Sequence, residues 1–227
     1  MNTEFRGEEA QNLEEKSCCV FVVDTSGSMG GAPIAQLNHG LEQFAEEIRT
    51  WDLVRHRLEV VIVEFNSTVQ TILEPTLGIN LASVPQLVAR GSTKLVDGTL
   101  KGIEIAKART AWYDETGQPR KRPWVILITD GGPDLDQDIS LLEREIREGE
   151  STKSFVFLPI GVDGADMAFL ERVAMQNHDL RPRSMSATKF SEFFRWVSEL
   201  FSKVMQSKKG EKFAPPTSES WQHGIDL

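Results

Sequence analysis

Cysteine is scarce in this chain, and the two residues present, Cys18 and Cys19, stand side by side in one apolar run. They offer no disulfide framework and no Cys-x-x-Cys pair, which excludes a cystine-stapled mini-domain and a dithiol redox centre. Adjacent side chains on a strand point to opposite faces, so both thiols are read as small core residues. Long apolar stretches are missing too: no run approaches the roughly 18 residues a membrane-spanning helix needs. Met1 to Lys16 is rich in Glu and lacks the apolar segment of a secretory leader, so a cytoplasmic protein is expected. Positive charge is in deficit, with a net charge of −9. That argues against nucleic acid and against an anionic membrane as the partner. The Gly-x-x-x-x-Gly-Lys-Ser/Thr loop of nucleotide-binding enzymes is absent. Ser26, rather than a second aspartate, stands two residues after Asp24, so an aspartyl-phosphate enzyme would lack its general acid.

What the chain does have is apolar material for one large domain: 227 residues, 40% of them hydrophobic. Residues 1–16 are polar and read as a flexible N-terminal segment, 17–207 as one folded domain, and 208–227 as a flexible C-terminal tail rich in Lys, Pro and Ser. Trp221 within that tail is read as a stray aromatic. Apolar runs at Cys18–Val23, Arg57–Phe65, Trp124–Thr129 and Phe155–Ile160 predict buried strands. Helical spacing predicts helices from Pro33 to Thr50, Leu95 to Trp112, Ile139 to Arg147, Asp166 to Met175 and Lys189 to Ser207. In the second of these, Leu100, Ile103, Ala106 and Lys107 are spaced for the buried face. Asn66-Ser67 is too short for a parallel crossover, so Thr68–Leu73 returns as an antiparallel edge strand ended by Glu74-Pro75. A short helix is expected within Leu81–Arg90, and a short edge strand at His178–Arg183. Arg120-Lys121-Arg122 reads as a solvated turn. The last helix carries Phe190, Phe193, Phe194, Val197, Leu200, Phe201 and Val204 on one broad face and should dock firmly. Strands alternating with helices predict an α/β fold: a doubly wound, mostly parallel sheet with one antiparallel edge strand and helices on both faces.

Two predicted strands finish in a carboxylate, at Asp24 and at Asp130, and ligands of such sheets sit at the carboxyl ends of the strands. Asp24 is followed by Thr25, Ser26, Gly27 and Ser28, and alternate side chains of a tight loop can turn inward together. Thr93 lies in a glycine-led loop before a helix. Two carboxylates and three hydroxyls suit a small hard dication that keeps some of its waters. Asp134, Asp136 and Asp138 imitate part of a calcium loop but lack its following Gly and distant Glu, and are read as loop acids before a helix.

These residues carry a resemblance. Asp24-Thr25-Ser26-Gly27-Ser28 matches the Asp-x-Ser-x-Ser signature of von Willebrand factor type A (VWA) domains, and the chain resembles that family over about Ser17 to Ser207. Gly91-Ser92-Thr93 and Thr129-Asp130-Gly131 resemble the segments carrying the family's metal-site threonine and second aspartate. The resemblance implies a metal-ion-dependent adhesion site made of Asp24, Ser26, Ser28, Thr93 and Asp130. It implies Mg²⁺ as the ion, with Mn²⁺ or Ca²⁺ as alternatives. It also implies a non-enzymatic module that captures an Asp or Glu of a protein partner. Ile128-Thr129-Asp130-Gly131 with Pro133, and the segment from Phe190 to Ser198, resemble small bacterial VWA proteins of the TerY type. That type implies a scaffold in tellurite resistance or stress response, beside a protein kinase or phosphatase. A competing reading is a serine hydrolase. Ser26-Gly27-Ser28-Met29-Gly30 comes near a nucleophile elbow, and Ser28, Asp130 and His178 would follow in triad order.

Overall fold

A computed structural model describes residues 13–174, 181–208 and 214–222. The chain runs β1 (Ser17–Asp24), α1 (Ala32–Thr50), α2 (Asp52–Arg55), β2 (Leu58–Phe65), β3 (Val69–Leu77), α3 (Leu95–Glu115), β4 (Trp124–Thr129), α4 (Ile139–Ser151), β5 (Val156–Val162), α5 (Met167–Val173), β6 (Arg183–Met185) and α6 (Phe190–Gln206). Six strands form one sheet in the order β3-β2-β1-β4-β5-β6. All neighbours are parallel except the β2–β3 hairpin. The expected doubly wound α/β sheet with a single antiparallel edge strand is therefore what forms.

The four strands read as continuous apolar runs are buried along their whole length, because helices cover both faces of the sheet. Alternate residues feed two separate cores. Phe21, Val23, Ile126 and Ile128 pack with α1 and α6, whereas Val20, Val22, Val125 and Leu127 pack with α3, α4 and α5. Cys18 and Cys19 are fully buried, one on each side. Burial pushes both thiols well above their ordinary range, and the Glu59 carboxylate adds to the effect at Cys18. The native protein should therefore resist a maleimide at neutral pH. Both cysteines should label once denaturant is added, as counted by intact-mass spectrometry.

Several local expectations change. β3 does not stop at Glu74-Pro75; it continues to Leu77. Its pairing with β2 shifts register between Val60 and Ile62, and Pro75 falls inside that irregularity on an edge strand, where no amide hydrogen is needed. Leu81–Arg90 forms no helix. It is an extended loop with Leu81, Val84 and Leu87 buried, and Asn38 on α1 both donates to and accepts from the Leu87 backbone, at 2.9 and 2.8 Å. The buried face of α3 also differs from the spacing argument. Ile103 and Ala106 are buried as expected, but Leu100 and Lys107 are only half-buried, and Gly98, Gly102, Arg109 and Tyr113 complete the buried face. A Cβ at Gly98 would lie 2.8 Å from Phe65 Cβ, so α3 rides unusually close to the strands.

α5 ends at Val173, and β6 starts at Arg183 and runs parallel to β5 as the other edge; residues 175–180, including His178, lie outside the described residues. Lys16, assigned to the flexible N-terminal segment, is buried, forms a bridge with Arg120 and donates to the His56 carbonyl at 2.9 Å. The basic run is a fastener, not a free turn. Arg120 grips both oxygens of Asp114 at 2.8 Å, and Lys121 donates to the Ser207 carbonyl at 2.8 Å.

The largest departure is at the C-terminus. Residues 214–222, read as part of a flexible tail, lie back on the domain. Trp221 is buried with its ring 5.1 Å from that of Phe193 and 5.2 Å from that of Trp196. Trp196 Nε1 donates to the Pro216 carbonyl at 2.9 Å, and Gln222 bridges to Met185 on the β6 edge. Apolar burial of a whole indole explains why a polar segment docks.

Candidate metal centre

β1 and β4 are parallel neighbours, paired from Cys19 with Trp124 to Val23 with Ile128. The chain continues from β1 toward β2 on one side, and from β4 toward β5 on the other, so their carboxyl ends flank the point where the sheet order reverses. Asp24 and Asp130 leave the sheet there together. The Thr129 hydroxyl donates to Asp24 Oδ2 at 2.6 Å, and the Ser26 amide donates to Asp24 Oδ1 at 2.8 Å. Both bonds hold the Asp24 carboxylate in a fixed plane. From there the polar chain runs outward: Ser26 Oγ lies 3.0 Å from Ser28 Oγ, and Ser28 donates to Asp130 Oδ1 at 2.8 Å.

Thr93 joins by its backbone. Its amide donates to Asp134 Oδ2 at 3.0 Å, and its carbonyl accepts from the Asp134 amide at 3.2 Å. Its hydroxyl takes no part in the chain from Ser26 to Asp130. Four of the five expected donors are thus joined by hydrogen bonds, and the fifth is held at the same edge by its loop. Gly27 N donates to the Gly91 carbonyl at 3.0 Å, tying the first loop to the loop of Thr93. Gly91 has φ +71, and the Ser67 hydroxyl occupies the space a Cβ would need, so only glycine fits. Asn66, seen in the sequence only as a hairpin turn, is buried and supports both loops. Its side chain donates to Thr25 Oγ1 at 2.9 Å, and its carbonyl accepts from the Lys94 amide at 3.0 Å. Sequence spacing carries no signal for Asn66 or for Thr129 as supports, because each acts across the fold.

Burial pushes the Asp24 carboxyl above its usual value; the hydrogen bonds from Ser26 and Thr129 draw it down, and the charge of Asp130 raises it further. Burial also raises Asp130, against the hydrogen bond from Ser28. Among the described residues neither carboxylate has an ion-pair partner. Two partly desolvated carboxylates at one crevice, with hydroxyls beside them and no basic side chain among the described residues to neutralise them, fit a small hard cation. The groups gathered here are carboxylate and hydroxyl oxygens, a donor set that suits an oxygen-seeking ion better than zinc.

The hydrolase reading gains no support. The Ser28 hydroxyl is bonded to Ser26 and to a carboxylate, and His178 lies outside the described residues. Asp138, read as a loop acid, caps α4 by accepting from the Leu141 amide at 2.9 Å.

Comparison with known proteins agrees with this architecture. Inter-alpha-trypsin inhibitor heavy chain 4 of Mus musculus is 26% identical over 221 residues, covering 90% of this chain and 22% of the relative. Inter-alpha-trypsin inhibitor heavy chain H1 of Mesocricetus auratus is 30% identical over 167 residues, covering 70% of this chain and 17% of the relative. The chain thus spans about a fifth of the length of these relatives. Among solved structures, the vWF domain of the type V pili tip protein Mfa5 from Porphyromonas gingivalis superposes with a TM-score of 0.61 at 12% identity, covering 89% of this chain and all of that domain. The model of the von Willebrand factor type A domain matches residues 19–201. With that match spanning most of its length, the chain belongs to the von Willebrand factor type A domain family.

Proposed function

We propose that this chain is a cation-dependent protein-binding module, with Asp24, Ser26, Ser28, Thr93 and Asp130 holding a Mg²⁺ ion. The observation that carries the reading is the convergence of Asp24 and Asp130, joined through Ser26 and Ser28, with no ion-pair partner for either carboxylate among the described residues. When bound, the ion supplies concentrated positive charge and an open position for a carboxylate of the partner. The protein's own residues set where that carboxylate arrives. Thr129 and the Ser26 amide fix Asp24, Ser28 fixes Asp130, and the loops around Gly30-Gly31 and Gly132-Pro133 shape the approach. Exposed Leu135 offers an apolar contact beside them. A scaffold role beside a kinase or phosphatase, in a TerY-type stress system of the bacterial cytoplasm, is the narrower form of this proposal. It is supported by the Ile128–Gly131 and Phe190–Ser198 segments alone; the relatives described above are inter-alpha-trypsin inhibitor heavy chains.

Affinity capture with Mg²⁺ and with chelator, for wild type and Asp24→Ala, tests the reading by mass spectrometry. A set of proteins should be retained by wild type in Mg²⁺ and lost on chelation and in the variant. Capture that survives both treatments sinks the idea. The cation response should also depend on pH. Carboxyls whose folded values are raised above their ordinary 3.8 destabilise the fold as they ionise, so their contribution is most favourable at low pH and is lost as pH rises. A bound dication offsets that loss. The Mg²⁺-induced rise in thermal midpoint should therefore be larger near neutral pH than at about pH 4, where protons compete for the same oxygens.

A further inference from the structure

We propose that Asp134 and Gln137 form a clamp that sets the position of Thr93, so that cation affinity depends on two side chains which are not themselves donors to the ion. The inference rests on the reading of Asp24, Ser26, Ser28, Thr93 and Asp130 as a cation site, and concerns how that site is held in shape.

Thr93 belongs to no regular element. It sits at the end of the extended loop that precedes α3, and nothing in the sheet fixes its backbone. The loop between β4 and α4 does so instead. Asp134 closes a two-way contact, accepting from the Thr93 amide at 3.0 Å and donating its own amide to the Thr93 carbonyl at 3.2 Å. Gln137 Nε2 donates to the same carbonyl at 2.8 Å. Its Oε1 accepts from the Val96 amide at 2.7 Å and from the Asp97 amide at 3.4 Å. The first amides of a helix have no partners within it, and Lys94, at the N-cap of α3, supplies no side-chain cap. Gln137 therefore caps α3 from a different loop and holds Thr93 with the other end of the same amide group. Its chemistry is specific: a glutamate could cap the helix but could not donate to Thr93.

The geometric consequence concerns Asp130. Asp130, Asp134 and Gln137 lie on one loop, so the clamp ties the threonine directly to the segment that carries the second carboxylate. On its other side, the loop of Thr93 is tied to Ser67 through the Ser92 amide at 2.9 Å and to Gly27 through Gly91. With the clamp gone, these and the Lys94 amide on the Asn66 carbonyl at 3.0 Å hold the residues on either side of Thr93 but not its own amide and carbonyl, and Thr93 must be ordered when the ion binds. Ordering a loop residue at that moment weakens binding. Changes to groups that orient metal ligands typically weaken metal affinity by about 10–100-fold.

Mn²⁺ affinity, measured on the full chain by electron paramagnetic resonance titration, tests the clamp. Circular dichroism and the thermal midpoint establish that each variant is folded. Asp134→Ala, Gln137→Ala and Gln137→Glu should each weaken Mn²⁺ binding by about 10–100-fold. Asp134→Asn keeps an oxygen acceptor for the Thr93 amide and should retain most of the affinity. Wild-type affinity in folded Asp134→Ala and Gln137→Ala overturns the clamp. So does an equal loss in Asp134→Asn and Asp134→Ala, which would assign the effect to charge and not to position. Asp24→Asn separates the two levels of the argument: if wild type and Asp24→Asn bind Mn²⁺ alike, or neither binds, the cation site itself fails and the clamp fails with it.

Discussion

Replacing Arg109 by alanine is expected to destabilise the fold by about 3–5 kcal/mol, read from urea unfolding midpoints. Arg109 and Glu59 are a bidentate ion pair buried between α3 and β2, both almost wholly shielded from water. Tyr113 donates to Glu59 Oε2 at 2.5 Å, and the Arg109 guanidinium lies 3.8 Å from the ring centroid of Trp112. Burial works against the Arg109 charge, but the hydrogen bonds and charge of Glu59 outweigh it and raise its pKa. Burial also raises Tyr113, with the Glu59 charge adding to it, so the phenol stays protonated and keeps donating. Removing Arg109 leaves the carboxylate in the core with the tyrosine as its remaining side-chain partner among the described residues, which is where the cost arises. The pair need not be worth that much compared with an apolar core. The triple change Glu59→Leu, Arg109→Met and Tyr113→Phe removes every member at once and should recover most of the loss. If Arg109→Ala costs less than about 1 kcal/mol, water reaches the pair and the cluster is not a buried one. Glu59 lies near the start of β2, at the opposite end of the sheet from Asp24, so the cation response of a folded variant should be unchanged.

Phe194→Ala should cost a similar amount, about 3–5 kcal/mol, because it empties the contact between the last helix and the sheet. The Phe194 ring lies 5.5 Å from Phe21 on β1, 5.8 Å from Phe44 on α1 and 5.2 Å from Phe193. α1 comes so close there that a Cβ at Gly40 would stand 2.5 Å from Phe194 Cδ2. Gly40→Ala should therefore destabilise wild type by overpacking yet cost less in Phe194→Ala, where the space is open. Additive losses would show that the two positions are not in contact. The same packing makes α6 a fixed element, seated from Phe190 to Met205 and held down by Trp221. Hydrogen exchange from Phe193 to Val204 should not change when Mg²⁺ or a partner is added, and a ligand-dependent change there would contradict firm docking.

Trp221 shows where reading along the chain falls short. A Lys-, Pro- and Ser-rich segment predicts spacer, and composition cannot report that one indole will find Phe193 and Trp196. The face of α3 is only partly legible in spacing, which finds Ile103 and Ala106 but not the glycines beside them. Gly98 and Gly102 carry no hydrophobic signal, and their value lies in letting the helix approach Phe65 and Val22. Pro75 looked like a strand end because the rule against proline assumes a regular ladder, and the β2–β3 register shift removes that condition.

Periodicity and strand-end chemistry alone determined the alternation of buried strands and amphipathic helices, the antiparallel hairpin, and the placing of five side-chain oxygens at strand ends and in one glycine-led loop. These are local signals, carried within a few residues. Tertiary structure decided that β4 pairs with β1, which brings Thr129 to Asp24 across 105 residues and Ser28 to Asp130 across 102. It also decided that Asn66, Asp134 and Gln137 hold the loops in place, and that Glu59 finds Arg109. Each of these depends on which strands and loops become neighbours. Neighbours are chosen by the packing of whole faces and by chain connectivity, neither of which is written in any short stretch of residues.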